Sequence, residues 1–234
     1  MKGIIPIKRC PMIGGMNLKR FLTFLLTSLI FFVLFSTSCA KIDNPIPEPQ
    51  EEQPKPQVEE FPAVTQNLNK YFPLTKGSTW QYKGEGNEYA SFTREVLFVE
   101  GDKAQIKEDT GGTVSAAVFK TTEKEITRIF FRGEEYEETN FLNEEPNDNL
   151  VILKTPLEVG IKWEEPNGVR EIVEVDAAVD TPAGRFENCI KIKIQGQDST
   201  MFEYFKDEIG MVKREFISGD TTVTSTLEKY TINP

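Results

Sequence analysis

The chain has 234 residues, 27 basic against 37 acidic, and no histidine. Without histidine there is no Ser-His-Asp triad, no Cys-His nucleophile pair and no His-ligated zinc or haem site. A formal charge of −10 sets the surface against nucleic acid and anionic headgroups.

Residues 1–38 carry the marks of an export signal. Lys19 and Arg20 precede an apolar run from Leu22 to Phe35, and small residues follow it. That run of 14 residues is short for a ~30 Å hydrocarbon core, which speaks against a retained transmembrane anchor. Ser36-Thr37-Ser38-Cys39 resembles the lipobox of bacterial lipoproteins, with Ser36 standing where that family usually has leucine. The resemblance implies cleavage before Cys39, acylation of its thiol and attachment to a membrane through lipid. An ordinary secretory signal with a chance cysteine is the alternative. Residues 1–15 sit awkwardly ahead of this pattern, so a start at Met16 or an extended basic region is expected, with Cys10 outside the mature protein.

Cleavage would sharpen the charge. Residues 1–38 hold five basic and no acidic residues, leaving 22 − 37 = −15 for the remainder. With Cys39 acylated, Cys189 is the one thiol left, so no internal disulfide can form.

Residues 39–62 read as a tether. Pro45, Pro47, Pro49, Pro54 and Pro56 alternate with charged and amide residues, without apolar periodicity. At ~3.1 Å per residue such a segment reaches roughly 60 Å.

From residue 63 to 234 the pattern predicts one all-β domain. A short helix is expected over Val64–Lys70, stopped by Pro73. Alternation then dominates. Phe186, Ile190, Ile192 and Ile194 fall on one face, with Lys191 and Lys193 opposite. In 169–179 the reading puts Val173, Val175, Ala177 and Val179 inside and Arg170, Glu174 and Asp176 outside. Turn signals recur at 100–102, 109–112, 132–134, 166–168, 181–184, 196–198 and 218–220, with Gly168 expected in a left-handed turn. The expected fold is an antiparallel meander of about ten strands, as a curved sheet, open barrel or sandwich.

One phrase occurs twice: Pro73-Leu74-x-x-Gly77-x-x-Trp80 and Pro156-Leu157-x-x-Gly160-x-x-Trp163. Proline ends an extended segment, glycine permits the reversal, and tryptophan opens the next strand as a core anchor. This predicts two equivalent corners with buried rings. An aromatic ligand site is the competing reading, with Trp80, Tyr82, Trp163 and Tyr204 as candidate binding residues on a concave face.

Chemistry is sparse elsewhere. No phosphate-cradling glycine motif and no calcium loop are present, so no cofactor and no metal are expected. The acidic run 133–149 reads as a solvated loop and strand rim. Cys189 sits in a strand-like context without a base to activate it, although Lys191 and Lys193 share its face.

The segments YFPLTKGSTWQY, LKTPLEVGIKWE, VDTPAGRFENCIKI and YFKDEIGMVKRE resemble stretches of uncharacterised bacterial surface lipoproteins, over most of residues 70–230. The resemblance implies a lipid-anchored all-β domain facing the extracytoplasmic side and assigns no catalytic residue. In architecture the chain is also similar to periplasmic lipoprotein-carrier half-barrels. The expected function is a non-catalytic binding or envelope-associated module for an apolar ligand, glycan or peptide. A carboxylate-dependent hydrolase of an envelope polymer, or a structural or sensory accessory of a membrane protein, are the alternatives.

Overall fold

The computed structural model describes residues 67–166 and 168–234. The signal, Cys39 and the tether lie outside the described residues, as does the start of the expected helix at 64–66. The rest of that helix is one 3-10 turn at Leu68–Lys70, capped by the Asn67 side chain.

Twelve antiparallel strands follow. The first six are β1 (Thr79–Glu85), β2 (Phe92–Glu100), β3 (Lys103–Asp109), β4 (Val114–Thr121), β5 (Glu125–Gly133) and β6 (Leu150–Lys154). The second six are β7 (Lys162–Glu165), β8 (Gly168–Thr181), β9 (Gly184–Gln195), β10 (Thr200–Lys206), β11 (Gly210–Ser218) and β12 (Thr221–Thr231). Their order in the sheet is β6-β5-β4-β3-β2-β1-β12-β11-β10-β9-β8-β7, which is two six-stranded meanders joined along β1 and β12. That ladder runs from Thr79 opposite Thr231 to Glu85 opposite Thr224.

The edge strands are β6 and β7, and residues 155–161 link them directly. Ends so closely tied curl the sheet into a nearly closed barrel. The seam is bridged by a side chain: Trp163 Nε1 on β7 donates to the Val151 carbonyl on β6 at 2.9 Å.

Strand direction alternates, so the connections divide between two ends. Asn67, the C-terminus and the β2–β3, β4–β5, β6–β7, β8–β9 and β10–β11 connections share one end, here the entry end. The β1–β2, β3–β4, β7–β8, β9–β10 and β11–β12 turns, with the exit from β5, share the far end.

Toward the entry end the interior is apolar. Ile126, Leu153, Phe205 and Leu227 are fully buried there, in one cluster drawn from both meanders that continues to Ile172 and Ile192 beside the ionic level. Phe72 enters it from the segment before β1, its ring centroid 5.1 Å from Phe119 and 6.3 Å from Phe205.

Residues 134–149, expected as a solvated loop, form a strap across the outer face of β3–β5. Phe141 and Leu142 bury themselves against Ala116, Val118 and Phe130. Gln105 fixes the strap from below, donating to the Thr139 carbonyl at 2.8 Å and accepting from the Phe141 amide at 2.7 Å. An acidic composition concealed this two-residue apolar anchor.

The faces of β9 follow the alternation, with Phe186, Ile190, Ile192 and Ile194 inside. Those of β8 do not. The β8–β9 ladder shifts register between Ile172 and Glu174, between Glu174 and Ala177 and between Ala177 and Val179, so no single parity points inward along the strand. Arg170 and Ile172 are therefore buried at the start of the strand, Ala177 and Val179 at its end, and Val175 is exposed. A bulge interrupts the pleat, so the residues on its two sides need not share one alternation. Gly168 has φ +158°, far from the left-handed helical well near +57°. Glycine is needed there for close approach, because a Cβ would lie 2.1 Å from the Gln195 carbonyl oxygen.

Candidate functional site

The repeated phrase builds two buried corners. In the first, Gly77 at φ +78° reverses the chain and its amide donates to the Val96 carbonyl at 2.8 Å. Trp80 follows as the second residue of β1, and its Nε1 donates to the Ile209 carbonyl in the β10–β11 turn at 2.7 Å. In the second, Gly160 at φ +93° makes the reversal, and its amide donates to the Ile172 carbonyl at 2.8 Å. Trp163 is the second residue of β7 and makes the seam bond to Val151. Leu157 is buried, and Leu74 packs against the core.

The four candidate aromatics are all buried, none more than 8% exposed. Trp80 and Tyr82 come together inside the barrel, around a void of ≈ 10 Å³ also lined by Phe72, Arg94, Ile106 and Met211. That is room for about one water. The Tyr82 hydroxyl donates to the Met211 carbonyl at 2.8 Å, and burial pushes its pKa up to about 12 against the pull of Arg94 and Arg214. Trp163 stands apart at the seam. Tyr204 lies on the other face of the sheet from Glu203 and Phe205, opposite Lys191 on β9 and Lys213 on β11. Both ammonium groups sit over its ring, at 5.2 and 5.5 Å.

Toward the far end the interior turns ionic, a feature the sequence reading missed. Arg170 bridges Glu165 at 2.5 Å and Glu203 at 2.8 Å, and Arg214 reaches the second oxygen of Glu203 at 3.2 Å. Nearby, Arg94 meets Glu108 at 2.7 Å and Arg128 meets Asp148 at 2.5 Å. These pairs place four arginines against four carboxylates, a balanced set. Burial works to raise the pKa of Glu203, but Arg170 and Arg214 overcome it and hold the carboxyl at about 2. Glu108 is likewise held low, burial being outweighed by Arg94 and Arg214. The signal available in the sequence was the buried register of Arg170, hidden by the β8 bulges.

Cys189 is buried. Its pKa is pushed up to about 11 by burial, with Lys206 opposing. Lys206, on the neighbouring strand, is the lysine that acts on this thiol, while Lys191 lies over Phe202 and Tyr204. Among the described residues, no three acidic or cysteine side chains gather as a set that could hold a metal ion. A wider cleft of ≈ 1010 Å³ opens at the entry end, with Leu68, Leu74, Val99 and Ala104 in its lining.

No protein-family model and no curated protein matches the sequence. Two solved structures are similar in shape. One is a protein from Bacteroides fragilis, described as exported and as having a YmcC-like fold. It matches at 13% identity and a TM-score of 0.42, over 69% of this chain and 98% of its own. The other, from Parabacteroides distasonis, is described as a lipoprotein, and matches at 13% identity and a TM-score of 0.40, over 71% of this chain and 100% of its own. Likenesses at this level leave function to be argued from the residues.

Proposed function

We propose that this chain is a lipid-anchored extracytoplasmic lipoprotein whose β domain acts as a non-catalytic binding or envelope-associated module on the 39–62 tether. The observation that carries the anchor is Ser36-Thr37-Ser38-Cys39 placed directly after a basic start and a 14-residue apolar run. The acidic mature surface, −15 by the count above, suits a domain that stays in solution beside an anionic bilayer.

What speaks for binding without catalysis is the state of the interior carboxylates. A hydrolase needs one carboxyl kept protonated near neutral pH. Glu203 at about 2 is held in the opposite direction, by two arginines. The filled interior around Trp80 and Tyr82 favours recognition on the surface over engulfment of a ligand.

Cys39→Ala tests the anchor. Expressed in a bacterial host, the wild-type chain is expected in the membrane fraction and the variant in the soluble extracytoplasmic fraction. A variant that stays in membranes with its signal uncut would make the segment a retained anchor and end the lipoprotein reading.

A further inference from the structure

Three of the exposed large hydrophobic side chains are aromatic residues at the far end: Tyr89 at 58%, Phe131 at 42% and Tyr136 at 63% exposed. They sit on neighbouring, well-held pieces of chain. The Tyr89 ring lies across the β3–β4 turn at Gly112, where a Cβ would be 2.8 Å from its Cε1. That turn leads into Val114, whose carbonyl accepts from the Glu135 amide at 2.9 Å, next to Tyr136. The Phe131 backbone is clasped on both sides by the Asn147 side chain, at 2.8 and 3.0 Å. Behind its ring lies the Arg128 guanidinium, 4.8 Å from the centroid. The rings are thus displayed by strand ends and by turns that glycine opens for them.

Carboxylates surround this rim. Glu135 and Glu138 are engaged by Arg132 and Lys107. Glu88, Glu134 and Glu137 are exposed and enter no salt bridge among the described residues. Glu134 is held at φ +54°, an uncommon conformation for a residue other than glycine.

We infer that the far-end rim of Tyr89, Phe131 and Tyr136, with Glu88, Glu134 and Glu137, is a docking surface for a lysine- or arginine-bearing segment of a partner protein. The chemistry selects the cation twice. Aromatic faces attract ammonium and guanidinium groups through the ring quadrupole, and unpaired carboxylates supply the counter-charge. A neutral glycan would use the rings and leave the carboxylates idle, and an anionic partner would be repelled. The proposal rests on the binding-module reading and is independent of lipid attachment.

The test uses the purified, processed protein and a fluorescent Lys-Arg-Gly repeat peptide, followed by anisotropy at low and at physiological ionic strength. Saturable, salt-sensitive binding is expected. Tyr89→Ala with Tyr136→Ala should weaken it about tenfold. Glu134→Gln with Glu137→Gln should weaken it about as much and flatten the salt dependence. Glu123→Gln with Glu158→Gln makes the same charge change at the entry end and should leave binding unaltered. Equal losses from the rim and entry-end pairs would reduce the effect to overall charge and overturn the proposal. If the peptide fails while a neutral oligosaccharide binds and is lost with Tyr89, the cationic partner is wrong and the binding module stands. If neither binds, the rim proposal falls and the module reading loses its site.

Discussion

Each half of the barrel opens on the same phrase, yet the two corners do different work. Trp80 and Trp163 are both second residues of their strands, both buried, and both donate an indole N–H to a backbone carbonyl. The difference lies in what each strand already has. β1 is laddered on both sides, to β2 and β12, whereas β7 is laddered only to β8. Trp80 therefore reaches past its neighbours to Ile209, 129 residues away, and ties one meander to the other. Trp163 reaches back 12 residues to Val151, on the strand that a closed barrel would have paired with β7. A repeated phrase specifies a buried ring, and the sheet around it decides what that ring holds together.

Truncating the rings gives the largest effect and should separate the corners. Buried Trp→Ala changes cost about 3–5 kcal/mol. Trp80→Ala belongs at the top of that range, because the ring sits against Gly210 inside a core built from both halves. Trp163→Ala belongs at the bottom, about 3 kcal/mol, because an edge strand can relax into the space. Urea unfolding followed by far-ultraviolet circular dichroism measures both. Equal losses would mean that the corners are energetically the same, whatever their bonds.

The halves also differ in how deeply they bury charge. In the second, the chain Glu165–Arg170–Glu203 is buried and Arg214 closes it. In the first, the carboxylate of the Arg94–Glu108 pair stays partly open to solvent. Glu203→Gln leaves two arginines short of a counter-charge and should cost about 3 kcal/mol, against about 1 kcal/mol for Glu108→Gln. The pH dependence has a definite sign. A carboxyl at about 2 in the folded state and ~4.3 unfolded stabilises the fold fully above pH ~4.3 and loses that stabilisation as pH falls toward 2. About 3 kcal/mol should disappear across that window in the wild type, and far less in Glu203→Gln. Unfolding curves at neutral pH and near pH 2 decide it, and parallel acid sensitivity in both proteins would remove Glu203 from the account.

These differences mark how far the sequence could be read. The strand-rich class, the turn positions and the twin corners were legible because they depend on local residue types. Proline, glycine and a large ring need no knowledge of a partner strand. The count of about ten strands fell short of twelve because β6 and β7 are brief, 5 and 4 residues, too short for a pattern to stand out. Arg170 was placed on the wet face because alternation assumes an unbroken pleat, and the β8 bulges are set by its pairing with β9. Glu203 reads as one acid among many until β8 and β11 bring Arg170 and Arg214 against it. The rim aromatics were visible as residues, but nothing local set Tyr89, Phe131 and Tyr136 apart from those that became core. Their shared position comes from the alternation of strand direction within the first meander.

The smallest change, Trp→Phe, isolates the indole bonds from the rings. Phenylalanine keeps most of the buried area and removes one donor, so each variant should lose about 1–2 kcal/mol. What should differ is where the loss is felt. The Trp80 bond holds the β10–β11 turn, so Trp80→Phe is expected to speed amide exchange around Gly210–Val212. The Trp163 bond stands in for an absent ladder, so Trp163→Phe should speed exchange along β6 and the adjoining end of β5, and leave β10 and β11 unaffected. Exchange accelerated throughout the sheet in Trp163→Phe would mean that this single bond governs closure of the whole barrel. Trp163 would then be the more consequential corner, and the comparison drawn from the ladders would be reversed.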